Sequence, residues 1–418
     1  MKRIISALLC LSLASSALLL SACGNEAEKN NTSNAPASKP VSTVSSALPS
    51  TQPSEEEVEV SVAPNKPKIT DTQLADLNTK ITKNQGLPEF TCTSEKLNAS
   101  EIAKDKKLYL ISQNSQSSFH SYVESNFQKT AKRIGFGETT IAETDGSVSA
   151  LNDGLNSAVK KKSDLVILSG DINKDGISSY IENAQANGIP VVSSGSKSVG
   201  ETDHYTDYTV PINYAFAGEL MADWGIVKTK GKIHALCVSC TDSELSASTF
   251  KGFKAEFEKY VSSSEGSCTT VNANSIEIGN GLANKIKSEL TSNTKINYIF
   301  VFDDAAINDA LSAVVQSGTD IKIVATGGRS EDMDLAESGS VEMLVAHSYE
   351  WTAYAMLDYA LRILGGKTLP AEQDVPFRVL TKDGIKKAKE ESKDSFDSFH
   401  EICFGGAFVD GYNALWSI

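Results

Sequence analysis

Histidine is scarce in this chain of 418 residues: there are five, and His120, His204, His234, His347 and His400 form no spaced motif. No G-x-S-x-G elbow is present either, so nucleophilic catalysis has little support and an enzyme is the least favoured reading. Paired cysteines at zinc spacing are missing too. Cys237-Val-Ser-Cys240 stands alone, without a second ligand pair and without a thioredoxin-like setting. Positive charge is in deficit, with 39 Lys and Arg against 53 Asp and Glu, a net charge of -14, and no dense basic stripe. That balance excludes nucleic acid as a natural partner. No cofactor is expected.

What is present begins at the N-terminus. Lys2 and Arg3 precede an apolar run from Ile4 to Leu20, and the small residues Ser21 and Ala22 lead into Cys23. A positive start, an apolar stretch and small residues before a cut are the parts of a secretory signal. Leu20-Ser21-Ala22-Cys23 resembles the end of a bacterial lipoprotein signal peptide. The resemblance implies removal of residues 1–22, lipid on Cys23 and an extracytoplasmic chain anchored to the cell membrane. The competing reading is an uncleaved anchor, because a spanning helix needs about 20 apolar residues. From 23 to 85 a disordered stalk is expected. Asn, Ser, Pro, Thr, Ala and Glu dominate to about Pro67, and no apolar periodicity offsets the cost of ordering the backbone.

From Lys106 onward apolar runs alternate with helical spacing. Lys107 to Ser112 and Asp164 to Leu168 read as strands, while Phe119, Tyr122, Val123, Phe127, Ala131 and Ile134 recur on one helical face. The rhythm returns after Pro211. Strands joined by helices make parallel sheets with right-handed crossovers, and a head of about 300 residues suits two lobes better than one core. The expected class is therefore α/β with two doubly wound parallel-sheet lobes. Ligands in such sheets bind beyond the carboxyl ends of the strands, which directs attention to Ser112 to His120, Ser169 to Asp171, Ser193-Ser194, Asp303-Asp304, Gly327 to Arg329 and His347 to Tyr349.

At these residues the chain resembles the ribose-like sugar-binding proteins of ABC transporters, the type I periplasmic binding proteins. Local phrases carry the likeness: Asn183 to Val192 (NAQANGIPVV), Phe250 to Phe257 (FKGFKAEF) and Leu361 to Lys367 (LRILGGK). The resemblance implies two lobes joined by three hinge crossovers, with lobe one at 106–209 plus 347–375 and lobe two at 210–346 plus 376–418. It implies capture of a small polar ligand, most simply a sugar, and delivery to an ABC permease. The runner-up is a surface sensor of the same fold that signals to a membrane kinase or chemoreceptor.

Carried over by position, the family's first-loop aromatics fall on Phe119 and His120 and its next polar residue on Asp171. Its Asp-Arg pair falls on Ser193 and Ser194 or on Ser194 and Gly195, a departure that removes the charged clamp. Its second-lobe arginine falls on Thr249, its fourth-strand acceptor on Asp303 and its hinge glutamine on His347. Asn213 and Arg329 complete the ligand-binding candidates. Each has a plainer reading: Phe119 shares a stripe with the core residues Tyr122 and Phe127, and Arg329 sits in a glycine-rich loop where a solvated charge is ordinary. If Arg329 points inward, a carboxylate- or phosphate-bearing ligand fits it.

Two further patterns need weighing. Asp171-Ile-Asn173-Lys-Asp175-Gly176, with Glu182 at the twelfth place, matches a calcium-loop pattern, but a strand precedes it and Ser178 replaces the usual apolar residue, so no metal is expected. Cys92 and Cys403 are candidates for a bridge pinning the two ends of the head. Cys268 is a candidate to bridge to Cys237 or Cys240 on the adjacent strand, which leaves one thiol over.

Overall fold

Short apolar runs become strands wherever the sequence alternates them with amphipathic stretches. The first set comprises β1 (Lys107–Ser112), β2 (Glu138–Ala142), β3 (Leu165–Ser169), β4 (Val191–Ser194) and β5 (Tyr208–Val210). These form a five-stranded, wholly parallel sheet in the order β2-β1-β3-β4-β5. Helix α2 (Ala99–Ala103) precedes β1, and the helices between the strands are α3 (Ser118–Ile134), α4 (Val148–Lys160) and α5 (Ser178–Ala186). Both faces of this sheet are covered, which is why β3 is apolar and buried along most of its length. Leu108, Leu110, Leu165 and Ile167 face Val123 and Phe127 of α3, whereas Ile111, Val166 and Leu168 face Leu151 and Leu155 of α4 and Ile181 of α5.

The second sheet runs β11-β10-β9-β8-β6-β7, from β6 (His234–Cys240), β7 (Ser267–Ala273), β8 (Tyr298–Val301), β9 (Lys322–Gly327), β10 (Met343–His347) and β11 (Phe377–Leu380). Only β11 is antiparallel. Its coverings are α6 (Tyr214–Thr229) and α7 (Glu244–Tyr260) on one face, and α8 (Leu282–Ser292), α9 (Ile307–Ser317) and α10 (Ser330–Ser338) on the other. The chain crosses between lobes after β5, again at Ser348 between β10 and α11 (Tyr349–Leu364), and a third time between α11 and β11. Helix α11 packs on α3 and so belongs to the first lobe. The α/β class, with two parallel-dominant sheets, is as the sequence predicts.

The structure, a computed structural model, describes residues 66–115, 118–373, 375–392 and 399–418. The expected signal peptide, Cys23 and the expected stalk up to residue 65 lie outside the described residues. Among the described residues no helix is long and apolar enough to cross a membrane.

Part of the expected stalk is folded. Helix α1 (Asp71–Lys83) opens with a capping box between Thr70 and Gln73 and buries Leu77 and Ile81 against α6. Leu74, Leu77 and Ile81 lie at helical spacing and supply an apolar stripe that the polar composition around them hides. Lys80 fixes the helix in place: its Nζ lies 2.9 Å from Glu219, 3.0 Å from the fully buried Asp223 and 3.4 Å from Glu256.

The C-terminal end also departs from expectation. Helix α12 (Lys382–Ser392) packs on α10 and α13 (Phe399–Phe404) on α12, both in the second lobe, but α14 (Ala407–Trp416) lies on α11 in the first. Trp416 Nε1 donates to Asp358 at 2.9 Å, and Asp358 also holds Arg362 at 2.8 Å, so a buried polar network draws the last helix across. The expected cysteine bridges are not formed: Cys92, Cys237, Cys240, Cys268 and Cys403 are free thiols. Cys92 packs with the first core while Cys403 is buried in the second. Cys237 and Cys268 do face each other across β6 and β7, with their sulfurs 3.2 Å apart.

Candidate functional site

The loops at the carboxyl ends of the two sheets meet, and charged side chains bridge them. Asp171, just past β3, accepts a hydrogen bond from the backbone N–H of Leu245 at 3.3 Å, placing a first-lobe carboxylate on the first turn of α7 in the second lobe. A helix N-terminus favours a negative charge there. Ser243, whose hydroxyl caps α7, lies beside both Asp171 and Asp303, so the two carboxylates expected at the cleft converge on one residue, and Asp303 accepts from the Ala305 N–H at 3.0 Å. Burial pushes the Asp171 carboxyl up to about 6, against the pull of its bonds to Ser243 and the α7 amides. Asp303 is raised for the same reason, and burial drives Asp304 to about 8 despite Arg329 beside it.

Arg329 does turn inward, but toward acids of its own lobe. It grips Asp332 through Nε at 3.0 Å and Nη2 at 2.7 Å, lies 3.2 Å from the Asp304 carboxylate and donates to the Asp304 carbonyl at 2.9 Å. Its charge is thus already matched, which removes the basis for an anionic ligand at this point.

Aromatic rings wall the same region. Phe119 meets Tyr349 edge-on at 4.3 Å and His120 at 4.6 Å, and His347 lies 5.2 Å from Tyr349 and 6.0 Å from Tyr214. Burial lowers both His120 and His347 to about 4, so both imidazoles are neutral at physiological pH. Gly170, at φ 103°, lets His120 approach: a Cβ there would fall 2.4 Å from its Nε2.

The remaining candidates are engaged in holding the fold. Ser193 shares its hydroxyl with Thr209 at 3.1 Å, and Asn213 caps α6 by accepting from the Phe216 N–H at 3.2 Å. Thr249 is fully buried within α7 and donates to the Leu245 carbonyl at 2.9 Å. Ser194 differs, because its buried hydroxyl has no partner among the described residues, and neither has that of Ser112. The register Ser112↔Ser169↔Ser194 sets three hydroxyls in a row at the ends of β1, β3 and β4.

Sequence reading missed a set of interlobe ion pairs. Lys197 Nζ lies 2.6 Å from Glu244 Oε1, and Lys174 reaches Glu244 Oε2 at 3.3 Å and, within its own lobe, Asp203 at 3.1 Å. Glu201 accepts from Ser248 at 2.6 Å and pairs with Lys251 at 3.2 Å. Lys174, Lys197, Glu201 and Asp203 follow strands and Glu244 opens α7, the one signal that could have found them, whereas Ser248 and Lys251 lie further along that helix. Within the calcium-like pattern, the buried Lys174 sends its ammonium to Asp203 and Glu244, and Asn173 accepts from the Asp175 N–H at 3.1 Å. No group of metal-ligating side chains occurs among the described residues. A cavity of about 960 Å³ opens between α1, α6 and α12, away from these loops.

Two lobes of parallel sheet, joined at one side and facing each other through polar strand-end loops, form a two-lobed solute trap. The chain belongs to the periplasmic binding protein domain family, whose model matches residues 108–368. That is a family of solute-binding proteins, not of enzymes. Among solved structures it is similar to an ABC transporter periplasmic solute-binding protein from Actinobacillus succinogenes with bound D-allose, at 16% identity and a TM-score of 0.56, covering 68% of this chain and 100% of that one. It is likewise similar to AraP, an arabinose-binding protein from Geobacillus stearothermophilus, at 17% identity and a TM-score of 0.58, covering 68% and 99%. A carbohydrate transporter protein from Acidothermus cellulolyticus in complex with myo-inositol gives 15% and 0.55, covering 69% and 98%. These likenesses concern the fold. Comparison with curated protein sequences returns no match.

Proposed function

We propose that this protein is an extracytoplasmic lipoprotein that captures a small polar solute of the sugar class between its lobes and delivers it to an ABC permease. The observation that carries this reading is the convergence of Asp171 and Asp303 from opposite lobes beside a wall of rings formed by Phe119, Tyr214 and Tyr349. Carboxylates accept from sugar hydroxyls, and aromatic faces stack on the apolar side of a sugar ring. The sugars bound by the structurally similar proteins support the same class. A ligand that touches both lobes favours the closed state by its extra affinity for that state. Anchoring through Cys23 follows from the signal-like N-terminus and would hold the trap near its membrane partner.

The test is a thermal-shift screen of purified protein against sugars, polyols and nucleosides. One-to-one stabilisation by a sugar without turnover supports the proposal. Stabilisation by nucleosides alone would replace the sugar class, and turnover of any compound would replace the receptor.

A further inference from the structure

Two interlobe crossings lie outside the region matched by the family model. After α1, the chain follows the edge of β11 in the second lobe, where Val379 N–H donates to the Asn84 carbonyl at 2.8 Å. It then passes to the first lobe. Phe90 packs between Tyr412, at 4.8 Å, and Trp351, at 6.1 Å, the Glu95 carbonyl accepts from Arg362 at 3.1 Å, and Leu97 N–H donates to the Leu415 carbonyl at 2.7 Å. Gly411 makes the seat for Phe90, since a Cβ there would fall 2.1 Å from the ring. The C-terminus makes the second extra crossing at Gly405-Gly406, from α13 in the second lobe to α14 in the first.

One side chain holds both. Arg378 of β11, only 5% exposed, donates through Nε to the Gln85 carbonyl at 3.0 Å and through Nη1 to the Cys403 carbonyl. A planar guanidinium can direct separate N–H groups at two carbonyls at once, which a lysine ammonium on its flexible stem does with less fixed geometry. Hinge motion needs a few residues free to absorb changes of φ and ψ. A connection fixed at both ends lacks that freedom.

We propose that Arg378 is a positioning residue that clips the two terminal crossings to the second lobe and thereby limits how far the cleft opens. The inference rests on the proposed reading that the lobes close around a solute. Without the clip, residues 84–89 and the Gly405-Gly406 turn become slack, and the three family crossovers alone govern opening.

The test is a distance measurement by pulsed electron resonance on the full chain without added ligand. Spin labels are carried on noncanonical side chains at positions 148 and 276, since Val148 and Ile276 are exposed at the cleft rims of the two lobes. Arg378→Met and Phe90→Ala, which loosens the N-terminal crossing from its other end, should each add a longer distance and raise the open population several-fold. Arg378→Lys should fall between. Phe90→Ala keeps the test decisive if Arg378→Met does not fold. Glu244→Gln, which cuts the interlobe ion pairs and leaves the clip intact, separates the two ideas. If Glu244→Gln lengthens the distance and the folded clip variants do not, the clip is overturned alone. If no variant changes the distance, both the clip and the closing cleft are overturned.

Discussion

Lys197 of the first lobe and Glu244 of the second form an ion pair with 2.6 Å between Nζ and Oε1. Because Glu244 also holds Lys174, one carboxylate at the start of α7 ties two first-lobe loops. These contacts hold the lobes together through the protein's own charges. A solute has to act alongside this latch, by adding contacts to both lobes.

Cutting the latch should loosen the closed form without unfolding it. Glu244→Gln is expected to raise amide hydrogen exchange several-fold at residues 196–201 and in the first turn of α7, leaving the strands of both sheets protected. The effect is modest because Glu244 is 39% exposed, and pairs open to solvent are screened and contribute about 1 kcal/mol or less. High salt should produce part of the same change in the unaltered protein. Unchanged exchange at both places would show that the pairs do not hold the lobes.

Closure should depend on pH through Asp171. Its carboxyl rises from an ordinary 3.8 to about 6 on burial against Ser243, Glu244 and the Leu245 amide, with Tyr214 also close. A raised acid binds its proton more tightly in the closed form. Its stabilising contribution is full below the ordinary value and is lost as pH rises through about 6. The closed population, read from the same interlobe distance, should grow on the order of ten-fold as pH falls from 7 to 5. Asp171→Asn should flatten that dependence, while a steeper or reversed slope in the variant would contradict the assignment.

Lys80 is expected to matter to stability well beyond the surface value of a lysine. Burial pushes Asp223 up to about 7 even with Lys80 at 3.0 Å, and removing the ammonium leaves a carboxyl in the α1, α6 and α7 packing without its cation. Lys80→Met should cost about 3 kcal/mol in urea unfolding, as is usual when one partner of a buried pair is lost. Adding Asp223→Asn should restore most of it. A single variant that unfolds like the parent would show that α1 is not held by this pair.

The sheets were legible because their strands are buried on both faces and read as apolar runs, and the strand-end rule led to Asp171, Asp303 and the rings around Phe119. The latch was not, because Lys197 and Glu244 are 47 residues apart and nothing local marks a charge that will meet its partner across a cleft. Helix α1 was hidden for another reason. Leu77 and Ile81 are few among polar neighbours, and their burial depends on α6, which comes more than a hundred residues later. The C-terminal helix followed the family division of the chain on paper, yet Trp416 and Tyr412 found their hydrogen-bond partners in the first lobe, at Asp358 and Gln373.

Membrane attachment should depend on a single sulfur. Cys23→Ala in the producing cell is expected to move the protein from the membrane fraction to the soluble extracytoplasmic fraction, because a cleaved chain without lipid keeps no anchor. Retention of the variant in the membrane would mean that the apolar run from Ile4 to Leu20 stays attached.

The most direct test is a calorimetric titration of the sugar that stabilises the protein best, into the unaltered chain and into Asp303→Ala. The expected result is one binding site per chain in the first, at least ten-fold weaker binding in the second, and equal unfolding midpoints for the two without ligand. Equal affinity for both chains, or no heat from any sugar, would contradict the reading of these loops as a sugar-binding cleft.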